Sequence, residues 1–251
     1  MKRADALGLI AGCGALGLGI GAAGAAEHWG YNGEAGPQHW SDLESDFRLC
    51  KVGQQESPVD LGDAVHADLG NFTASYRDVP LTIVNNGHTI QAAYANGGTF
   101  SLRHRTWQTV QYHFHAPSEH TSRGAHYAME MHVVHQDAAK NICVLGVFMQ
   151  AGAENPALAT IWQNIPAHEG PPQTVPGVSA GVAALLPAGR TYYAYLGSLT
   201  TPPCSENVAW FVLRDPIAVS TAQIARFKAA IPYNARPTQP VGDQRFVLTG
   251  P

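Results

Sequence analysis

The stretch Gln111-Tyr112-His113-Phe114-His115 decides both the local fold and the chemistry that this sequence can support. The apolar run in which it lies, residues 109–115, has the length and residue types of a β-strand. Alternate side chains of a strand share a face, so His113 and His115 are predicted to point together while Phe114 points away. Two imidazoles about 6.5–7 Å apart along a strand can converge on one metal ion.

A second run, residues 128–135, divides between two faces in the same way. One face carries Ala128, Glu130, His132 and Val134, and the other carries Met129, Met131, Val133 and His135. If the two strands pair, His132 completes a three-histidine set with metal–nitrogen distances of about 2.0–2.1 Å. Three neutral imidazoles without a thiolate leave the fourth tetrahedral position for water, which is the layout of a catalytic zinc site.

An isolated His-x-His on a strand is more often incidental than a metal site, but two flanking residues favour the metal. Gln111 lies two residues before His113, and Glu130 lies two before His132, each on the histidine face. A ligating histidine usually donates its second N–H to a carboxylate, amide or carbonyl oxygen. A glutamate within an apolar strand is costly to bury without such a partner.

The rest of the chain favours a single, mainly β domain with a few short peripheral helices. Further strands are predicted at residues 81–84, 142–150, 191–196 and 207–213, with tight turns at 85–87 and 96–98. Helices are predicted at 155–163, with Asn155 as the N-cap, and at 220–230. The segment 171–177, with two prolines followed by a glutamine, is predicted to be a surface loop.

Composition narrows the classes of function. The chain has 251 residues, 45% of them hydrophobic, which is enough for one sizeable core. Its net charge is −4 and no basic cluster stands out, so we expect no nucleic-acid partner. Twelve histidines are many for this length and direct attention to metal and proton chemistry.

The N-terminus predicts export. Met1-Lys2-Arg3 precedes an apolar, Gly- and Ala-rich stretch, and the small residues at 22–26 suit cleavage, so we predict a signal peptide at 1–26 and a mature domain at 27–251. Two alternatives are a membrane-spanning helix and lipidation of Cys13, which ends a lipoprotein-like Ile-Ala-Gly-Cys box. Export implies an oxidising compartment. The mature chain would hold three cysteines, which permit three single pairings.

These motifs, in their order along the chain, resemble those of the alpha carbonic anhydrases. The resemblance rests on Gln111 to His115, Ser118 to Thr121, Glu130 to His135 and Gly197 to Pro203, with His28 to Tyr31, Gly36 to Trp40, Gln54 to Val59, Asn85 to His88 and Asn234 to Pro240. It spans nearly all of 27–251. It implies a large, mostly antiparallel twisted sheet, Zn²⁺ held by the three histidines, and hydration of carbon dioxide to bicarbonate by a zinc-bound hydroxide.

The resemblance also implies roles for further residues. Glu119 and Thr200 would form a hydrogen-bonded pair that orients the hydroxide, His88 would carry the proton to solvent, and Cys50 and Cys204 would form a disulfide. Thr201 would line the polar side of the cleft. The apolar wall that receives carbon dioxide would consist of Val134, Val144, Leu199 and Trp210. Tyr31 and Asn86 would order the water that connects the metal to His88. Anions and sulfonamides are the expected inhibitors, and the resemblance allows a homodimer. The short span 116–118 is typical of bacterial members, and Ala235 replaces a common aromatic.

Two other functions remain open. A non-catalytic relative would be signalled by loss of a zinc histidine, and a zinc esterase would use the same centre on small esters. A purely structural zinc site would prefer four protein ligands. The remaining histidines are given other places: His39, His66, His104, His126 and His168 at the surface or in structural roles, and His120 and His135 as hydrogen-bonded core residues.

Overall fold

The computed structural model describes residues 29–241 and 247–250. The predicted signal peptide, its cleavage site and Cys13 lie outside the described residues. In the part of the chain that is described, helices are too short or too polar to span a bilayer.

The described residues contain fourteen strands. They are β1 (Val65–His66), β2 (Phe72–Tyr76), β3 (Val79–Asn85), β4 (Ile90–Ala93), β5 (Gly98–Leu102), β6 (Arg105–His115), β7 (Thr121–Ser122), β8 (Ala125–His126), β9 (Met129–Gln136), β10 (Ile142–Ala151), β11 (Gln173–Ala180), β12 (Tyr192–Ser198), β13 (Glu206–Val219) and β14 (Leu248–Gly250). Each of the six strands predicted from the sequence falls on one of these; five agree within two residues at their start, and β6 begins four residues before its predicted start.

Twelve of these strands form one sheet. Ten follow the order β1-β14-β12-β13-β10-β9-β6-β4-β3-β11, while β2 pairs with β5 and β5 with β6. Only β1 with β14 and β10 with β13 run parallel among the described pairs of this sheet. The expected large, mostly antiparallel sheet is therefore confirmed. Strands β7 and β8 form a separate small hairpin.

Four α-helices lie around the sheet in the described residues, and the two longer ones begin with side-chain caps. They are α1 (Trp40–Leu43), α2 (Leu49–Val52), α3 (Pro156–Gln163) and α4 (Thr221–Ala230). The Asn155 side chain accepts from the backbone N–H of Ala157 at the start of α3, as predicted. Ser220 and Gln223 form a reciprocal capping box at the start of α4.

The prediction of a surface loop over 171–177 is wrong for most of that segment. Residues from Gln173 onward form β11, which pairs with β3 at one edge of the sheet. The pairing changes register between Thr174 and Ser179, around Pro176 and Gly177. Proline cannot donate to a ladder and is tolerated at edges and bulges, so this Pro- and Gly-containing sequence suits an edge strand as well as a loop.

The sheet separates two apolar clusters, and the alternation of β9 decides which residue enters which. Met129, Met131 and Val133 pack into the larger cluster. Val134 packs into the smaller one with Val144 and other residues. The predicted division of this strand between two faces is thus confirmed. It directs the even-numbered side chains toward the smaller cluster and the cleft beside it.

A third cluster joins the N-terminal segment to the loop after β12. Cys50 and Cys204 form a disulfide there, packed with Trp29 and Trp40, and the backbone N–H of Cys204 donates to Thr201 O (2.9 Å). Cys143 is a buried free cysteine in β10. The disulfide implied by the resemblance is present in the structure, and it ties down the loop that carries Thr200 and Thr201.

We expect loss of this disulfide to destabilise the domain. The Cys50→Ser/Cys204→Ser double variant should lose about 2–5 kcal/mol of unfolding free energy, because the bond closes a loop with a sequence separation of 154 residues. Denaturant unfolding with and without reductant measures this. Cys143→Ala is the control, since its stability should stay sensitive to reductant. A double variant as stable as the oxidised wild type would contradict a stabilising role for the bond.

Candidate metal centre

Three histidines converge on the face of the sheet next to the smaller apolar cluster. Strands β6 and β9 are antiparallel neighbours with His113 directly opposite His132. His115 lies two residues further along the same face, and the three ring centroids are 4.5–5.2 Å apart. One nitrogen of each ring lies within 4.8 Å of the others, so the three imidazoles could hold one metal ion.

The second nitrogen of each ring is already engaged. His113 Nδ1 donates to Gln111 Oε1 (2.8 Å), and His115 Nδ1 donates to Asn234 O (2.7 Å). His132 differs, because its Nε2 donates to Glu130 Oε1 (3.0 Å). These acceptors fix the tautomer of each ring. His113 and His115 therefore face the centre with Nε2, and His132 faces it with Nδ1. His115 Nε2 is buried and has no hydrogen-bond partner among the described residues.

The surroundings of His113 and His115 keep these two imidazoles in the form that binds metal. Burial, followed by the neighbouring His115 and His132, lowers the pKa of His113 well below its usual range. Burial likewise lowers the pKa of His115, against the opposing effect of Glu119. Both rings are therefore neutral near neutral pH, as metal ligation requires.

Glu130 is a fully buried carboxylate that holds several donors at once. Oε1 accepts from His132 Nε2 and from His120 Nδ1 (2.8 Å), and Oε2 accepts the backbone N–H groups of Glu119 and His120, both at 2.9 Å. Burial opposes its ionisation, but His120 and His132 hold the pKa of Glu130 well below its usual range. The predicted contact with His132 is confirmed, and the chain after His115 is fixed by the same carboxylate.

Glu119 reaches the same centre from the loop after β6. Its Oε1 accepts the backbone N–H of Arg236 (2.9 Å). Its Oε2 is buried, lies 3.5 Å from His115 Nε2 and 3.9 Å from His132 Nδ1, and has no hydrogen-bond partner in the described ranges. The hydrogen bond to Thr200 that the resemblance implies is not formed between these side chains, and that pairing stays a prediction.

A cleft of about 270 Å³ opens above the three histidines. Its lining contains Val134, Val144, Leu199 and Trp210 from the expected apolar wall, Thr200 and Thr201 from the expected polar side, and Gln111, Tyr31, Asn86 and His88. All of these residues were named from the sequence, and the fold brings them into one cavity. One side of the cleft is thus apolar and the other carries hydroxyl, amide and imidazole groups.

Comparison with known proteins gives this geometry its context. A family model for the eukaryotic-type carbonic anhydrases matches residues 35–248. The chain belongs to the alpha carbonic anhydrase family. It is 41% identical over 225 residues to a carbonic anhydrase of Nostoc sp., a match that covers 88% of this chain and 85% of the relative. It is 42% identical over 220 residues to a carbonic anhydrase of Klebsiella pneumoniae, covering 86% and 89%.

Solved structures give the same result for the fold. An alpha carbonic anhydrase from Thermovibrio ammonificans in complex with the inhibitor sulfanilamide superposes with a TM-score of 0.84 at 42% identity, covering 90% of this chain and 100% of that one. A structure of dioscorin complexed with ascorbate superposes with a TM-score of 0.80 at 28% identity, covering 89% and 98%. This chain is an enzyme of the carbonic anhydrase type with the family's mostly β fold.

Some residues of this alpha carbonic anhydrase site were not assigned a place from the sequence. Trp29, Gln91 and Ile142 line the cleft. Asn234 and Arg236 contact His115 and Glu119 through backbone groups. Trp29 and Asn234 lie in motifs on which the family resemblance rests, and that resemblance was the sequence signal that could have placed them at the site. A backbone contact from a distant segment leaves no residue-type signature that could have defined its role.

His88 lies at the side of the cleft. Asn86 Oδ1 accepts the backbone N–H groups of His88 (3.0 Å) and Thr89 (2.8 Å), which shapes the turn together with Gly87 at φ 82°. The half-buried His88 ring stacks on Trp29, with centroids 3.7 Å apart and an interplanar angle of 6°. The ring is therefore supported by an aromatic surface at the edge of the cavity.

The other histidines take the predicted structural places. His120 is buried between Glu130 and Tyr195, and His135 lies on the opposite face of β9 with its Nε2 2.9 Å from the Tyr76 hydroxyl. His66, His104, His126 and His168 are exposed, and His39 is partly exposed. The His120, Glu130 and His132 side chains also lie close enough to hold an ion, but they are engaged with one another by hydrogen bonds.

Proposed function

We propose that this chain catalyses the reversible hydration of carbon dioxide to bicarbonate and a proton, with zinc as its cofactor. The main observation in support is the three-histidine centre. Its three inward nitrogens lie within 4.8 Å of one another at the base of a cleft with one apolar and one polar side. Membership of the alpha carbonic anhydrase family supports the reaction. The donor set of nitrogen atoms supports the metal.

The residues fit zinc in number and type. His113 and His115 would bind through Nε2 and His132 through Nδ1, and the buried His115 Nε2 gains the partner that it lacks within the protein. Three protein ligands are the usual number at a catalytic zinc site. When bound, zinc acts as a Lewis acid that lowers the pKa of water to about 7, an effect for which carbonic anhydrase is itself the standard example.

Thr200 and Glu119 are proposed to orient the attacking oxygen. Glu119 is held by the Arg236 N–H, and its second carboxylate oxygen faces the histidines without a partner in the described part of the protein. A threonine hydroxyl has one proton. If it donates that proton to Glu119, it must accept from the attacking water or hydroxide, which aims a lone pair at the substrate. Thr201 lies next to it on the polar side.

The apolar wall is proposed to receive carbon dioxide. Val134, Val144, Leu199 and Trp210 line one side of the cleft. Carbon dioxide has no net charge and no dipole, so a hydrocarbon surface holds it weakly and without directional demands. Weak binding also lets bicarbonate, which is charged, leave toward water. Anions and sulfonamides are proposed to bind in the same cleft, which the sulfanilamide complex of the Thermovibrio ammonificans enzyme supports.

One purified sample tests the proposed function. We expect one zinc per chain, and hydration of carbon dioxide that is lost on chelation and restored by zinc. Metal analysis and stopped-flow hydration with a pH indicator provide both measurements. A zinc-loaded protein that hydrates carbon dioxide no faster than buffer would overturn the proposal.

His88 is proposed to carry the proton from the cleft to solvent, with Tyr31 and Asn86 ordering the connecting water. The ligand histidines cannot serve, because protonation would release the metal. We expect His88→Ala to lower kcat in dilute buffer by at least about 10-fold while kcat/KM stays close to wild type, since proton export follows the carbon dioxide step.

The control for His88 is His168→Ala. His168 is exposed on the neighbouring loop, which contacts the same turn through Gly170 N and Asn85 O (3.1 Å). This variant should behave as wild type, and added imidazole should restore much of the rate lost in His88→Ala. Wild-type kcat for His88→Ala in dilute buffer would exclude His88 as the carrier.

We also propose that the protein is exported and works in the periplasm or outside the cell. The Cys50–Cys204 disulfide supports this, because disulfides persist in oxidising compartments. Mass spectrometry of the protein recovered from cells distinguishes a chain beginning at Glu27 from one lipidated at Cys13. A cytoplasmic protein that retains residues 1–26 would contradict export.

A further inference from the structure

A chain of buried hydrogen bonds begins at the metal centre and leads away from it. Glu130, which accepts from His132, also accepts from His120 Nδ1 (2.8 Å). The second nitrogen of the same ring, His120 Nε2, lies 2.7 Å from the Tyr195 hydroxyl. His120 and Glu130 are completely buried, and Tyr195 is 6% exposed. The support of His132 therefore extends by side-chain contacts as far as β12.

The chain continues from Tyr195 to the loop that carries the proposed orienting residues. The Tyr195 hydroxyl lies 3.0 Å from Ser57 Oγ. Ser57 and Ser198 then form a reciprocal pair, in which Ser198 N donates to Ser57 Oγ (3.0 Å) and Ser57 N donates to Ser198 Oγ (2.9 Å). Ser198 Oγ donates to Leu199 O (2.8 Å). Leu199 immediately precedes Thr200, so the path ends at the backbone of the substrate side of the cleft.

An aromatic contact runs beside this path. The Trp210 indole, which lines the cleft, donates its N–H to Ser198 O (2.9 Å) and stacks parallel to Tyr195. Its ring centroid is 4.8 Å from those of both His120 and His132. Displacement of Tyr195 would therefore change the packing of Trp210 against His120 and His132.

The sheet alone does not place His132 and Ser198 on neighbouring strands. Strand β12, which carries Tyr195 and ends at Ser198, is separated from β9, which carries His132, by β13 and β10. Three strand spacings amount to about 14 Å. A continuous and buried side-chain network can fix relative positions over that distance more tightly than separate contacts, because its hydrogen bonds reinforce one another where water is excluded.

We propose that Tyr195 is a positioning residue that couples the orientation of His132 to the placement of Leu199, Thr200 and Thr201. This inference rests on the proposed function, because the proposed function assigns His132 and the loop with Thr200 to one active site. It makes the Tyr195 hydroxyl the link between a metal ligand and the substrate loop. Neither its removal nor that of Ser57 Oγ takes away any group that touches metal or substrate.

The test removes the hydroxyl oxygen of Tyr195 and keeps its ring. Tyr195→Phe should release zinc to a chelator about 3–10-fold faster than wild type, less than the 10–100-fold typical of a group that contacts the ligand itself. It should also weaken the binding of sulfanilamide by a similar factor, because the loop side is disturbed as well. Tyr193→Phe, on the same face of β12 and two residues away, is the matched control and should change neither quantity.

A second variant makes the coupling specific. Ser57→Ala breaks the path on the other side of Tyr195, so it should speed zinc release in the wild-type background but add little in the Tyr195→Phe background. The unfolding free energy of each zinc-free variant is measured in parallel. A purely structural role would lower stability and leave zinc release unchanged, and this result would overturn the proposal, as would additive effects of the two substitutions. Since zinc release needs no turnover, a wild type that binds zinc without hydrating carbon dioxide would overturn only the proposed function.

Discussion

Replacing His132 by alanine should remove most of the bound zinc and lower the rate of carbon dioxide hydration by more than about 100-fold. Loss of a ligand must exceed the 10–100-fold cost of losing an outer partner of a ligand. Two imidazoles cannot hold the ion against water as three do. His113→Ala and His115→Ala should behave in the same way, because one nitrogen of each ring lies within 4.8 Å of those of the other two. Zinc content per chain and stopped-flow hydration measure the effect.

The matched control is His104→Ala. His104 is exposed, in the turn between β5 and β6, and lies on the chain that leads into the ligand strand. Its removal tests whether any histidine substitution near this strand affects metal content. We expect a normal zinc content and a normal rate. Full activity in any one of the three ligand variants would show that the metal centre is assigned to the wrong residues.

The three-histidine cluster was predictable because its signal is local. Strand alternation alone places His113 with His115 and Gln111, and His132 with Glu130, on shared faces. The structure confirms the two contacts between these neighbours, at 2.8 Å and 3.0 Å. Alternation within a strand does not show which strands pair; the register that sets His113 opposite His132 shows that β6 pairs with β9.

The parts that could not be predicted depend on contacts between distant segments. Asn234 O accepts from His115 across 119 residues, and Arg236 N donates to Glu119 across 117. Both contacts use backbone groups, which every residue type offers, so the sequence pattern contains no indication of them. The network through Tyr195 and Ser57 likewise joins residues that are separated by 138 positions.

The edge strand β11 was missed for a different reason. Its sequence contains Pro176 and Gly177, which indicate a loop by composition, and its side chains are mostly exposed. Strand formation there depends on pairing with β3 on one side only. An edge strand buries too little apolar surface to show the alternation by which β6 and β9 were predicted.

Glu130→Ala should be the most damaging change away from the ligands themselves. Glu130 accepts four hydrogen bonds, from Glu119 N, His120 N, His120 Nδ1 and His132 Nε2, and it is fully buried. Its removal leaves these donors without an acceptor in a site closed to water. We expect zinc affinity to fall about 10–100-fold and the unfolding free energy of the protein to fall by about 3–5 kcal/mol.

Glu130→Gln separates the two effects. The amide keeps the shape of the side chain but can accept through only one of its two terminal atoms, so its NH₂ must face donors that the carboxylate accepted. We therefore expect a loss of stability smaller than that of alanine, together with faster zinc release, because His132 no longer donates to a negative charge. Chelator competition at several temperatures gives the affinity, and denaturant unfolding of the zinc-free protein gives the stability. Zinc retention equal to wild type in both variants would show that Glu130 does not support His132, however close the two side chains lie.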